Sequence, residues 1–157
     1  MSHILLELVQ PYISSYKISG QDLTRPWGGF YYINNNDLDR FVKQYFRGVV
    51  VNMNRFLSPK ILIINSNKRL SWQYHHRREE IWSVLVGPVG IVRSDNDEET
   101  PMIIVNTGDI IKIGKEERHR IVGLDNPAIV AELWSHTDES HLSDENDIVR
   151  VQDDFKR

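Results

Sequence analysis

From Lys60 to Trp134 the chain is written in short apolar runs, each cut off by turn residues, and that rhythm leaves few folds open. Strands are expected at 60–64, 70–75, 80–86, 89–93, 102–105, 110–113, 119–122 and 128–134. The breaks between them carry Asn, Asp, Gly or Pro, as in NSNK, SDNDEETP, NTGD and GLDNP. Many short strands at this spacing close into a sandwich or a barrel. At 157 residues and 40% hydrophobic content the chain is one domain of ordinary size, with no internal repeat.

Two stretches inside this pattern carry metal-ligand chemistry. RLSWQYHHRREEIWSVLVGPVG, from Arg69 to Gly90, holds Gln73, His75 and Glu80. Gln73 and His75 are two apart, so on an extended strand they face the same side, and His76 faces the other. Glu80 opens the apolar run Ile81 to Val86, which ends at Gly87 and Pro88. A short polar turn between two strands would therefore bring Gln73, His75 and Glu80 onto one inward face. The second stretch, GDIIKIGKEERHRIVG from Gly108 to Gly123, supplies His119 at the start of a strand. Two imidazoles, a carboxylate and an amide oxygen suit a divalent metal and leave positions for water or substrate. Ordinary barrel polars would be the bland reading of any one of these residues alone.

The rest of the chain sorts around this core. Leu38, Phe41, Val42, Tyr45, Phe46 and Val49 fall on one face of a helix, with Asn36 or Asp37 as its N-cap. Residues 36–57 are read as a helical insertion on the outside of the barrel or over its mouth. Residues 4–10 read as a short helix or a strand that must be buried, 14–24 as loop, and Arg25 to Gly29 as a rigid turn into a strand at 30–33. The charged tail is expected to be pinned to the barrel by Ile148, Val149, Val151 and Phe155.

The spacing Q-x-H-x4-E-x6-G, followed by G-x10-H, resembles the two metal-binding motifs of a cupin β-barrel. RLSWQYHHRREEIW is similar to the cupin domain of mannose-6-phosphate isomerases, including the C-terminal isomerase domain of two-domain enzymes that also make GDP-mannose. RPWGGF at Arg25 to Phe30 and DIVRVQDDFKR at Asp147 to Arg157 resemble that domain's opening and closing signatures. The resemblance implies an all-β chain with a single cupin barrel (a double-stranded β-helix or jelly roll), from which the helical insertion near 36–50 is a departure. An N-terminal arm would span 1–24 and the cupin domain 25–157. The arm could cover an open edge of its own barrel or of a neighbour's in a homodimer.

The implied activity is metal-dependent aldose–ketose isomerisation of a phosphorylated sugar. Gln73, His75, Glu80 and His119 would hold the metal. Zinc is expected for the family, although the ligand set would also accept iron, manganese, nickel or cobalt. Arg78 matches the arginine of the family's H-R-x-E motif; it is a candidate for phosphate contact or enediolate stabilisation, against a surface ion pair with Glu79 or a neighbouring acid. Glu132 is a candidate general base, against a salt bridge to a barrel arginine. Arg69, Lys112, Arg120 and Arg150 are the remaining cations to place. Trp82, two residues after Glu80, could wall the pocket, while Trp27, Trp72 and Trp134 read as core. The chain departs from the family pattern where Arg77 replaces a third His and Ile81 replaces the His before Trp82. A non-catalytic metal- and sugar-binding cupin is therefore the second reading, and an iron-dependent oxygenase the third. The nucleotidyltransferase half of the two-domain enzymes is not in this sequence, so GDP-mannose synthesis is not expected of it.

Composition narrows the partners. A formal charge of −3 offers no broad basic surface for nucleic acid. The absence of cysteine removes disulfides and thiolate ligands. No apolar run approaches the roughly 20 residues a membrane helix needs. MSHILLELVQP lacks a basic start and contains Glu7 and Pro11, which makes a poor signal peptide. A cytoplasmic protein acting on a small sugar phosphate is expected.

Overall fold

A computed structural model describes residues 3–156. Met1 and Ser2 of the expected arm, and Arg157 of the expected cupin domain, lie outside that range. The chain opens with helix α1 (His3–Ile13), strand β1 (Ile18–Asp22) and strand β2 (Gly28–Ile33). A 3-10 turn at Asn35–Asp37 leads into helix α2 (Leu38–Tyr45). Strands follow as β3 (Leu57–Ile64), β4 (Trp72–Tyr74), β5 (Arg78–Val86), β6 (Val89–Ser94), β7 (Ile103–Val105), β8 (Ile110–Ile113), β9 (Arg118–Gly123), β10 (Ala128–His136) and β11 (Val149–Gln152). Among the described residues they form two antiparallel sheets, β1-β2-β3-β10-β5-β8 and β11-β4-β9-β6-β7. The eight strands expected from the sequence are all present, several of them longer by one to three residues at an end. The expected cupin-type β architecture with a helical insertion is what forms.

The larger sheet is covered on both faces along β3, β10 and β5, and this explains why these strands carry continuous apolar runs. Along β3, Ile61 and Ile63 pack outward with α1 and α2, while Leu62 and Ile64 pack into the barrel. β10 does the same: Ile129, Ala131 and Leu133 face out, and Ala128 and Val130 face in. The outer layer gathers Leu5, Val9 and Ile13 of α1 with Phe41 and Tyr45 of α2 and the neighbouring Tyr16 and Phe46. Leu5, Val9 and Ile13 are four apart, a single stripe on α1. The helical insertion thus lies on the barrel's outside rather than over its mouth.

Three expectations shift. Residues 18–22 are not loop: β1 pairs with β2, from Ile18 opposite Ile33 to Asp22 opposite Phe30. The pattern ISGQD gives little apolar alternation, so the strand owes its place to its neighbour's backbone rather than to side-chain burial. α2 stops at Tyr45, short of the apolar periodicity that runs to Val49. Gly48, with φ +80°, turns the chain there, yet Val49 and Val51 still pack against the same outer layer from irregular backbone. The tail gains a strand, β11, which pairs with β4 and sets Arg150 opposite Gln73. Among the described residues no helix is long and apolar enough to cross a membrane.

Candidate metal centre

Three strands, β4, β5 and β9, bring the four ligand-type side chains together. Gln73 on β4 and His119 on β9 are directly opposed in an antiparallel pair, which puts them on one face. His75 follows at the end of β4. Glu80 lies on β5 with Arg78 and Trp82, all on the inward side of the strand. His75, Glu80 and His119 are buried, and one candidate ligand atom from each lies within 4.8 Å of the others. His75 Nε2 is 3.2 Å from Glu80 Oε1, and His119 Nε2 is 3.6 Å from Glu80 Oε2. Tetrahedral ligands at about 2.1 Å from an ion stand about 3.4 Å apart.

The protonation pattern is fixed by what the other ring nitrogens meet. His75 Nδ1 donates to the Asp147 carbonyl at 2.5 Å, and His119 Nδ1 donates to the Glu117 carbonyl at 2.7 Å. A carbonyl only accepts, so both Nδ1 atoms carry the proton and both Nε2 lone pairs point inward. His119 Nε2 is buried without a hydrogen-bond partner. An orphaned lone pair of this kind is costly unless something electrophilic meets it. Burial pulls His75 down to about 3, against the opposing pull of Glu80, and burial lowers His119 as well. Burial alone would raise the Glu80 carboxyl, but the Arg78 guanidinium, 2.8 Å away, outweighs it and holds the group well below the usual range. Two neutral imidazoles and one carboxylate are the forms a divalent cation needs.

Gln73 stands at the edge of this trio. Its amide nitrogen, not its oxygen, faces His75 Nε2 at 3.4 Å, and its oxygen accepts from Ser71 Oγ at 2.5 Å. Turning the amide over would aim the oxygen at the cluster. His76 faces away, exposed, and meets Glu116 at 2.9 Å.

Arg78 does not pair with Glu79, which instead meets Arg55 at 2.7 Å on the outer side. Its guanidinium is buried and fully engaged. Nε donates to Glu80 Oε1 at 2.8 Å, Nη2 to His75 Nε2 at 3.1 Å and Nη1 to Ser143 Oγ at 2.8 Å. It also stacks 3.5 Å above the Trp134 ring. Glu132 is buried at the next position along the wall. Trp82 Nε1 donates at 3.1 Å to both Glu80 Oε2 and Glu132 Oε1 and so braces the two carboxyls from behind, while the tryptophans that line the cavity are Trp27 and Trp134, both expected in the core. Burial, and then the charge of Glu80, push the Glu132 carboxyl up to about 8. Its cationic neighbour is Lys60, 3.9 Å away, and not an arginine.

The remaining cations sort themselves outside the cluster. Arg69 pairs with Asp154 in a two-pronged contact at 2.6 and 2.9 Å. Lys112 donates to the Val50 carbonyl, and Arg120 pairs with Glu99 at 2.9 Å. Arg150 lines the pocket.

Sequence reasoning missed three residues at this centre. Lys60 is buried among Phe30, Tyr32 and Trp134, its Nζ 3.5 Å from the Trp134 centroid. Alternation along PKILII could have placed it inward with Leu62. Asp147 ties the tail to the turn between β4 and β5 by accepting from the His76 and Arg77 amides at 3.0 Å each. Glu145 reaches the pocket from the loop after β10, and nothing in the local sequence marks it.

Three kinds of similarity bear on this centre. Residues 43–153 match the family model described as mannose-6-phosphate isomerase C-terminal. The chain is 26% identical over 139 residues to mannose-1-phosphate guanylyltransferase 2 of Escherichia coli O157:H7, covering 88% of this chain and 23% of that protein. It therefore spans less than a quarter of that relative's length. Among solved structures, a variant of the Bacillus subtilis oxalate decarboxylase OxdC aligns over 83% of this chain and 30% of its own, with 12% identity and a TM-score of 0.59. CapF bound to an inhibitor aligns over 85% of this chain and 34% of its own, with 14% identity and a TM-score of 0.58. These structural likenesses concern the fold, which is of the cupin type.

Proposed function

The chain belongs to the mannose-6-phosphate isomerase C-terminal family, and from that membership we propose that it is a metal-dependent aldose–ketose isomerase of a phosphorylated sugar. The observation that carries the reading is the convergence of two Nε2 lone pairs on an ionised Glu80, one tryptophan away from a carboxyl that burial pushes up to about 8. His75, Glu80 and His119 would hold the ion, with Gln73 completing the set once its amide turns. Zinc is the first choice of metal. When bound, the metal would supply polarisation of the sugar carbonyl and the adjacent hydroxyl.

The chain's own residues have distinct tasks in this reading. Glu132 accepts a proton from one carbon of the sugar and returns it to the next, which suits a group poised near pH 8. Trp82 fixes Glu132 relative to Glu80 by donating to both. Arg78 keeps Glu80 ionised and places positive charge beside the developing enediolate. Trp134 gives an apolar wall. A negatively charged sugar phosphate is retained inside cells, so a cytoplasmic location goes with the reading.

A binding-only cupin is the second reading. The departures from the family pattern favour it: Arg77 stands in place of a third His and Ile81 in place of the His before Trp82. Incubating the zinc-loaded protein in heavy water with mannose-6-phosphate, fructose-6-phosphate and other sugar phosphates separates the two. Deuterium appearing at C1 or C2 of one substrate, and lost with Glu132→Gln, is the expected result. Stoichiometric metal without any exchange across the panel would leave the binding reading.

A further inference from the structure

Lys60 presents an asymmetry that an internal salt bridge does not explain. Its side chain is only 3% exposed, enclosed by aromatic rings, and it already has Glu132 3.9 Å away inside the barrel. Its shorter contact, at 2.5 Å, is to Glu145, which is 40% exposed and comes in from the solvent side. The same carboxylate accepts from Tyr32 Oη at 2.6 Å, and its other oxygen lies 3.7 Å from Arg25 Nη2. Three donors from three places, the turn before β2, β2 itself and β3, thus converge on one anion that the loop after β10 delivers.

We propose that Arg25, Tyr32 and Lys60 form the subsite for the ligand's anionic group, a phosphate monoester, and that Glu145 is a built-in competitor for it. The proposal rests on the sugar-phosphate reading for the identity of the anion. The donor set suits it: a fixed ammonium, a hydroxyl and a guanidinium offer a tetrahedral dianion several charge-assisted bonds at once. The exchange leaves no stranded charge. The incoming dianion takes Glu145's place beside Lys60, and Glu145 moves into water it already half faces.

The loop is built so that Glu145 can leave while its flanks stay. Ser143 is held by Arg78 Nη1 at 2.8 Å and donates its amide to His136 Nδ1 at 3.0 Å. Asp147 is held by the His76 and Arg77 amides. Between these anchors the Glu145 side chain can rotate outward. Its departure would also enlarge a cavity that is now too small for a sugar, and which Arg25, Lys60, Glu132 and Glu145 all line. Through Glu132 and Trp82 the subsite is joined to Glu80 by direct contacts, which puts an anion there within one ligand's length of the metal cluster.

Inorganic phosphate, titrated calorimetrically into the full chain at low salt, tests the proposal. If the plugged form holds about nine-tenths of the molecules, Glu145→Gln should raise phosphate affinity about tenfold. Adding Lys60→Met should abolish the gain, and Tyr32→Phe, which removes only a hydroxyl at the rim, should reduce it in a variant whose folding is not in question. Unchanged or weaker binding in Glu145→Gln overturns the proposal. So does phosphate affinity that appears only on metal loading and ignores both Glu145 and Tyr32, because the anion then sits on the metal. The readout needs no turnover. Tighter phosphate binding in Glu145→Gln without deuterium exchange into any sugar would keep the subsite and remove the isomerase; exchange with no effect of Glu145→Gln on phosphate would do the reverse.

Discussion

Glu132 is where pH should act most visibly on the metal-free protein. Its carboxyl stands near 8 when folded and near 4.5 in the unfolded chain, so between those values the folded chain holds a proton that the unfolded chain has released. Stability therefore falls as pH rises through this window and levels off above it. His75 works in the opposite sense at lower pH. Its ring stands near 3 when folded against 6.5 unfolded, so stability is lost as pH falls below 6.5. Glu132→Gln should erase the alkaline decline and make the metal-free protein more stable at pH 8 by on the order of a few kcal/mol. Denaturant midpoints at pH 5 and pH 8 check this, and an equal effect at both would contradict it. At the metal itself, His119→Ala removes the buried lone pair, and zinc should no longer raise the melting temperature. In the unaltered chain, zinc at a hundredfold over its dissociation constant should add about 2.7 kcal/mol.

At the scale of elements, two features position the site from a distance. Gly28 has a φ of +147°, and a Cβ there would lie 1.9 Å from the Ile63 carbonyl oxygen. The Trp-Gly-Gly turn is thus what lets β2 lie against β3, and Gly28→Ala should cost about 3 kcal/mol or more, read by thermal melting. α2 has a different task. Phe41 is fully buried under Tyr16, Tyr45 and Phe46, far from the ligands in the outer layer. Phe41→Ala should destabilise the fold by about 3–5 kcal/mol while leaving metal stoichiometry intact in the folded fraction.

These elements also show why the sequence was readable in some places and mute in others. β3, β5 and β10 are buried along most of their length, so each carries a largely apolar run, residues 61–64, 81–86 and 128–131, that could be read directly. Gln73, His75, Glu80 and His119 were legible because strand alternation and a family resemblance both point to them. Lys60 was legible in principle, since it alternates with Leu62 and Ile64, but a lysine before an apolar run reads as a solvated start. β1 was mute because ISGQD is half exposed and is held by backbone pairing. Glu145 was mute for a deeper reason: it is 85 residues from Lys60 in sequence, and only the folded loop brings them together.

At the scale of the whole molecule, the two sheets differ in what covers them, and the site follows from that difference. Helices seal the outside of the larger sheet, which leaves its inner face to carry Lys60, Arg78, Glu80, Trp82, Glu132 and Trp134 on three adjacent strands, β3, β10 and β5. The smaller sheet answers with Gln73, His75 and His119 from β4, its end and β9. The tail closes the assembly: β11 pairs with β4, and Asp147 fixes both the turn beside His75 and, through its carbonyl, the His75 ring. Asp147→Ala should therefore weaken metal binding without touching a ligand, by untying the tail from the His76 and Arg77 amides and so loosening the backbone carbonyl that orients His75. A drop of about 10–100-fold in affinity is the expected size for loss of such a support.

The most direct measurement is elemental analysis of the full chain, purified, stripped with chelator and reloaded with a divalent metal, beside His75→Ala, Glu80→Gln and His119→Ala. One ion per folded chain, lost in each of the three variants, is the predicted result. A full complement of metal in variants lacking His75 or His119, or no tightly held metal in the unaltered chain, would contradict the assignment of this centre.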